Sequence, residues 1–204
     1  MNIHRLGITG IVLLTPKRFE DERGHFSETW NARRMRDAGM RFDFVQDNHS
    51  LSRDAGVLRG LHYQAPPVAQ TKLIRCTAGA IFDVAVDIRR GSPGFGQWIT
   101  AVLTPENGSQ LLIPRGFLHG FLALRPNTEV QYKVDAYYDA ACDGAIAWDD
   151  PDIGIEWPLA EAGVSAPYLS KKDAAAPRLA EIEPPFFWNE AHRTESELHR
   201  EQSP

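Results

Sequence analysis

Apolar residues recur along this chain in short runs, often at every second position, and Gly-, Pro- and Asn-containing turns separate the runs. The pattern predicts extended segments at residues 11–14, 44–48, 57–63, 71–76, 81–88, 98–103, 111–113, 120–124, 130–134 and 145–148. The clearest is 81–88. There Phe82, Val84, Val86 and Ile88 alternate with Asp83, Ala85 and Asp87, the period of a strand with two different faces. Turn chemistry punctuates the runs at residues 91–94, 104–108 and 125–127. One short helix is predicted at residues 31–38, with Asn31 as its N-cap and Gly39 as its stop. A second, at residues 172–179, is limited by Pro177. Strands that follow one another without long helices between them argue against a parallel α/β sheet. They predict an all-β sandwich or barrel.

Composition narrows the function classes. The chain has 204 residues and a net charge of −5, so no basic field spreads over its surface and neither nucleic acid nor anionic lipid is an expected partner. An anionic ligand would have to meet a local cationic pocket. The length suits one domain, expected over residues 1–180, followed by an extension at 181–204 rich in Pro, Glu, His and Arg, whose distal part is expected to be mobile. Cys76 and Cys142 fit neither a C-x-x-C pair nor a zinc pattern and are read as free thiols. The apolar run at 8–14 lacks a charged lead, and no run approaches the ~20 residues that span a bilayer. A cytoplasmic protein is the expectation. Gly91, Gly94 and Gly96 have the spacing of a dinucleotide loop reversed and read as a turn. Nicotinamide, ATP-hydrolysis and serine-nucleophile motifs are absent from the sequence.

One constellation carries chemistry. Arg59-Gly60-Leu61-His62-Tyr63-Gln64 ends a predicted strand, and Gln70-Thr71-Lys72-Leu73 follows. Downstream lie Gly108, Pro114, Gly116, His119, Gly120 and Phe121, then Gln131-Tyr132-Lys133. Ionisable groups on barrel strands are costly unless they meet each other or a polar ligand, so Arg59, His62, Lys72, His119 and Tyr132 together mark a site. The spacing from Gly108 to His119 resembles the second motif of the cupins, double-stranded β-helix barrels. In the first motif a cupin places two metal-binding histidines, whereas this chain reads His62-Tyr63-Gln64. Ala123 also stands where many cupins have asparagine. A site with no metal and no other cofactor is therefore expected.

Longer motifs make the resemblance specific. Phe19-x-Asp21-x-Arg23-Gly24-x-Phe26-x-Glu28, Phe44 to Ser50, Val57 to Gln64, Phe82 to Asp87, Pro114 to Phe121, Tyr132-Lys133, Trp157-Pro158 and Leu169 to Asp173 resemble the dTDP-4-dehydrorhamnose 3,5-epimerase family, from about Gly7 to about Leu179. The resemblance implies a metal-free cupin barrel acting on a dTDP-4-keto-6-deoxy sugar. It implies His62 as base, Asp173 as the acid orienting it, Tyr132 as proton donor on the opposite face and Lys72 beside the enolate oxygen. Substrate contacts are implied for Arg23, Phe26, Glu28, Gln46, Asp47, Asn48, Arg59, His119 and Lys172, with Tyr138 stacking on thymine. Asp143 stands where the family often has glutamate. Asp83 is a rival to Asp173 for His62, or a support for His119. A homodimer with exchanged N-terminal strands is implied as well.

The chemistry needs nothing beyond these residue types. A ketone acidifies its neighbouring C–H bonds, and inversion removes a proton from one face and returns one to the other, work suited to histidine and tyrosine. Three other readings remain open on the sequence alone: inversion of only C3 or only C5, a barrel that binds a nucleotide sugar without turnover, and a metal-dependent oxygenase.

Overall fold

The computed structural model describes residues 1–8 and 10–188, so the distal part of the extension lies outside the described residues. The first half of the chain forms β1 (Asn2–Arg5), β2 (Val12–Thr15), β3 (Arg18–Asp21), β4 (Gly24–Ser27), α1 (Ala32–Asp37), β5 (Gln46–Ser52), β6 (Leu58–Gln64), β7 (Lys72–Ala78) and β8 (Ile81–Asp87). The second half forms β9 (Arg89–Arg90), β10 (Trp98–Leu103), β11 (Gln110–Ile113), β12 (Phe117–Ala123), β13 (Thr128–Val134), β14 (Asp143–Ala145), α2 (Lys171–Ala174), a 3-10 turn at Leu179–Glu181 and β15 (Phe186–Phe187). A six-stranded sheet runs β1-β2-β11-β7-β13-β5, and a five-stranded sheet runs β10-β8-β12-β6-β14. All pairings within both sheets are antiparallel. This is an all-β, jelly-roll barrel: the strand pattern predicted a sandwich or barrel, and the motif resemblance implied the cupin type.

The core sits between the sheets. Ile74, Leu111, Ile113 and Val130 of one sheet meet Ile81, Ala85, Leu103 and Phe121 of the other. The five-stranded sheet is covered on its outer side too, where Val84, Val86, Leu61 and Leu118 pack against Ile146, Ile153, Leu179 and Phe186. β8 is thus buried on both faces, and its polar alternates Asp83 and Asp87 are fully buried. Asp87 is held by the guanidinium of Arg89 and the hydroxyl of Ser92. α1 forms where expected: Asn31 accepts from the backbone N–H groups of Arg33 and Arg34, and Gly39 ends it at φ +79°. Its one fully buried side chain, Met35, packs on Val12, Leu14, Leu73 and Leu112 of the six-stranded sheet.

The second helix is shorter than expected. It spans Lys171–Ala174, ending well before Pro177, and Ser170 caps it by accepting from Asp173 N–H. The strand expected at 145–148 is instead Asp143–Ala145, because Gln64, Tyr63 and His62 offer their ladder groups to those residues. The β3–β4 hairpin escaped the strand pattern: it is polar on both sides apart from Phe19 and Phe26, which face each other across the strands and are both exposed. After residue 180 the chain returns to the barrel, where β15 pairs in parallel with β9 and Phe186 is buried edge-on against Tyr63.

Candidate active site

Two adjoining lobes open between the sheets, each about 260 Å3 and sharing His62, Lys72, Tyr132 and Lys172 in their walls. The first is rimmed by Tyr138 together with Gln46, Asn48 and Asp143. The second is lined by His119, Arg59, Phe121 and Asp173. Strand alternation decides what enters. On β5, Gln46 and Asn48 face the Tyr138 lobe, while Asp47 between them points to the other side and binds the Lys133 ammonium at 2.8 Å. On β13, Tyr132 faces inward from between Gln131 and Lys133, which line a groove on the outer face of the sheet.

Arg59 breaks this parity. It lies three residues from His62, yet both line the same lobe. The pairing of β6 with β12 explains it. His119 opposes His62 and Phe121 opposes Arg59, so β6 carries one residue more than β12 across that stretch, a bulge that re-aims a side chain. Two glycines allow it. Gly60 has φ +124°, and a Cβ there would lie 2.6 Å from Gly120 Cα; a Cβ on Gly120 would lie 2.9 Å from the Arg59 carbonyl oxygen.

The histidines are each tied to a carboxylate. His62 Nε2 meets Asp173 Oδ1 at 2.6 Å, and His119 Nε2 meets Asp83 Oδ1 at 2.7 Å. The rivalry between Asp83 and Asp173 resolves by strand: Asp83 sits on β8 beside β12 and reaches His119, while Asp173 arrives on α2 above β6. Burial holds His62 below its ordinary pKa despite the opposing Asp173 carboxylate, so its imidazole is neutral at pH 7 with Nδ1 turned from Asp173. Burial also lowers Lys72 to about 8, against the pull of Asp143 and Asp83. Tyr132 is raised, chiefly by burial, and keeps its phenolic proton. The imidazole and the phenol stand on opposite walls, His62 in the five-stranded sheet and Tyr132 in the six-stranded one.

At the mouth, the Asp143 carboxylate accepts from the Tyr138 hydroxyl at 3.1 Å and pairs with the Lys172 ammonium. Tyr138 is 59% exposed, a flat ring at the edge of its lobe. Tyr63, given no role in the sequence reading, also lines this lobe. Gly144 stands directly opposite, where a Cβ would fall 2.2 Å from the ring. Gln64 stands where a cupin has its second histidine. Its amide is taken by the backbone carbonyls of Val68 and Tyr137 and the N–H of Asp139, which fixes the loop bearing Tyr138. Among the described residues no group of three or more His, Cys, Asp or Glu is gathered so as to hold a metal ion.

Besides Asp47, three more expected contacts stand apart from the lobes. Arg23 pairs with Asp21 at the hairpin tip, Phe26 is 70% exposed, and Glu28 binds the Asn31 amide and the Arg34 guanidinium. Among the described residues no helix is long and apolar enough to cross a membrane.

Comparison with known proteins identifies the family. The family model described as dTDP-4-dehydrorhamnose 3,5-epimerase matches residues 5–181. A protein of that name from Salmonella typhimurium is 49% identical over 88% of this chain and 96% of its own length. The solved epimerase from Legionella pneumophila, in complex with dTDP-4-keto-L-rhamnose, superposes with a TM-score of 0.86 at 43% identity, covering 92% of this chain and 99% of that one. The Bacillus anthracis enzyme, with TDP and PPi bound, gives a TM-score of 0.83 at 46% identity over 87% of this chain and 99% of the other.

Proposed function

The chain belongs to the dTDP-4-dehydrorhamnose 3,5-epimerase family, a family of isomerases, and we propose that it inverts C3 and C5 of dTDP-4-keto-6-deoxyglucose with His62 as base and Tyr132 as acid. The observation that carries this is the placement of a neutral imidazole and a protonated phenol on opposite walls of one cavity, with the Lys72 ammonium between the sheets beside them.

The steps balance within the sugar. His62 Nδ1 takes the proton from C3, and the electron pair of that C–H bond delocalises onto the C4 oxygen. Lys72 compensates the charge there, a preorganised cation where charge develops. Tyr132 then gives its proton to C3 from the opposite face, and the electron pair returns to carbon. Solvent restores both side chains, and the same cycle runs at C5. Asp173 holds Nε2–H and so keeps Nδ1 free for the substrate. Arg59, His119 and Lys172 supply the polar and cationic contacts for sugar and diphosphate, and Gln46, Asn48 and Asp143 close the other lobe. The exposed ring of Tyr138 offers a stacking surface for thymine.

Arg23, Phe26 and Glu28 complete the site of a second copy in this reading. The β3–β4 hairpin forms a sheet of its own, and a lone two-stranded hairpin with two exposed phenylalanines gains stability by packing on a partner. A homodimer with exchanged hairpins follows, and sedimentation of Phe26→Asp as a monomer with reduced turnover would support it.

The deciding experiment is incubation with dTDP-4-keto-6-deoxyglucose in D2O, followed by NMR of the sugar. Deuterium at both C3 and C5 with inverted configuration is expected. Inversion at one carbon alone removes the double epimerisation, and unchanged sugar removes the enzyme.

A further inference from the structure

Two histidine–aspartate pairs serve one cavity, and the mechanism above uses only one as a base. His119 on β12 is the direct cross-strand partner of His62 on β6, and both rings line the same lobe. Each gives Nε2 to its carboxylate at nearly the same distance, 2.7 and 2.6 Å. Their surroundings differ. The His62 side chain is 31% exposed and that of Asp173 5%, against 8% for His119 and 0% for Asp83. The second carboxylate oxygen of Asp83, Oδ2, is buried and has no hydrogen-bond partner among the described residues.

Counting protons separates the possible states of such a pair. With one proton it carries charge −1, the proton lies between Nε2 and the carboxylate, and Nδ1 is bare. With two it is neutral. Wherever the shared proton then sits, on nitrogen or on oxygen, Nδ1 carries the other. A sealed site with an oxygen already unpartnered penalises net charge, which favours the neutral pair. Burial indeed raises Asp83 above the ordinary carboxylate range and outweighs the opposing pull of His119 and Lys72. The titratable groups facing the pair are Lys72 and Cys76 from β7, His62 and Arg59 from β6, and Tyr132 from β13. Asp173 and Lys172 close the lobe from α2, while β10 sets only Ala101 opposite Asp83.

We propose that the Asp83–His119 pair holds two protons at neutral pH, so that His119 Nδ1 donates into the lobe and serves beside Lys72 as a second hydrogen-bond donor to the enolate oxygen, with Asp83 acting through His119 as a positioning residue. This rests on the epimerase reading, which supplies the oxygen. No bond to hydrogen breaks at His119. The electron pair released at carbon collects on an oxygen that two N–H groups already face. The same side-chain pair therefore does opposite work on adjacent strands: the more open one accepts a proton, and the sealed one offers one.

Two-bond 1H–15N correlation spectra of the full-length protein, alone and with dTDP, report each ring nitrogen as N–H or bare. His119 Nδ1 is expected as N–H at neutral pH, and His62 Nδ1 as bare. A bare His119 Nδ1 overturns the proposal. In turnover, Asp83→Ala should lower kcat about 10²-fold, the usual worth of one such donor, while KM stays within about threefold. It should slow deuterium uptake at C3 and C5 in parallel. His119→Gln, which retains an N–H donor, should keep more activity than His119→Ala. Wild-type kcat in Asp83→Ala, or equal loss in both His119 variants, also overturns it. Should Asp83→Ala fail to fold, the spectra of the unaltered protein still decide. They need no turnover, so absence of epimerisation would remove the acceptor oxygen without touching the proton count.

Discussion

His62–Asp173 and His119–Asp83 are chemically the same pair, with the two histidines set opposite each other on neighbouring strands and lining one cavity. What separates them is where the carboxylate comes from. Asp173 is brought by a four-residue helix far along the chain and caps a histidine that still touches solvent. Asp83 belongs to the strand next door and lies in the sealed interior. An imidazole with a solvated edge can take and shed protons, whereas a sealed one is held to the charge state its surroundings tolerate. Residue type alone does not set a protonation state; burial shifts it.

The largest expected effect lies on the open pair. His62→Ala should abolish product and also deuterium uptake at both carbons, since His62 is the proposed base. Uptake at the wild-type rate in that variant would assign the base elsewhere. Tyr132→Phe should lower product formation by about 10²–10⁴-fold while uptake persists, because His62 can return deuterium to the face it came from. Parallel loss of exchange and inversion in Tyr132→Phe would show that the phenol acts before the enolate forms.

The pH profile sharpens the contrast further. His62 must be neutral, and burial sets its pKa below the usual value near 6.5, so activity should rise through an acidic limb below that point. Lys72 must be charged, and it loses its proton at about 8, so activity should fall through a limb near pH 8. Lys72→Arg should move the upper limb to higher pH, and its failure to do so in kcat against pH would detach that limb from Lys72. Stability should respond in the opposite sense to catalysis. Asp83→Ala leaves a buried histidine without its partner and should cost about 3–5 kcal/mol in urea unfolding, whereas Asp173→Ala, at the edge of a short helix, should cost about 1 kcal/mol. Equal losses would mean that the two pairs are not differently buried in solution. The smallest effect expected is none at all: dialysis against a strong chelator should leave turnover unchanged, and activity restored by one divalent ion would contradict a metal-free site.

The two pairs also differ in how far the sequence announces them. His62 stands in a strand with clear neighbours, and the motifs around it resemble a known family, so its partner Asp173 was named despite a separation of 111 residues. Asp83, the polar alternate in the most regular strand, was legible as a rival to Asp173 for His62 or a support for His119, and the sequence left that choice open. The exposed hairpin was legible only through Phe19-x-Asp21-x-Arg23-Gly24-x-Phe26-x-Glu28, since its hydrophobic pattern is too sparse to mark strands. Tyr63 and the inward turn of Arg59 were not legible at all, because both depend on what the opposite strand leaves room for.

By itself the sequence determined the local choices: short strands from alternation, turns from glycine and proline, the Asn31 cap, and the residue types that proton transfer beside a ketone requires. Those choices are made within a few residues, and side-chain periodicity and backbone preference suffice for them. Only the tertiary structure decided that both faces of β8 are sealed, that β6 bulges against Gly120 to swing Arg59 beside His62, and which carboxylate meets which histidine. These depend on register and on what covers each sheet, and both are set by contacts between residues far apart in the chain, which no single segment carries.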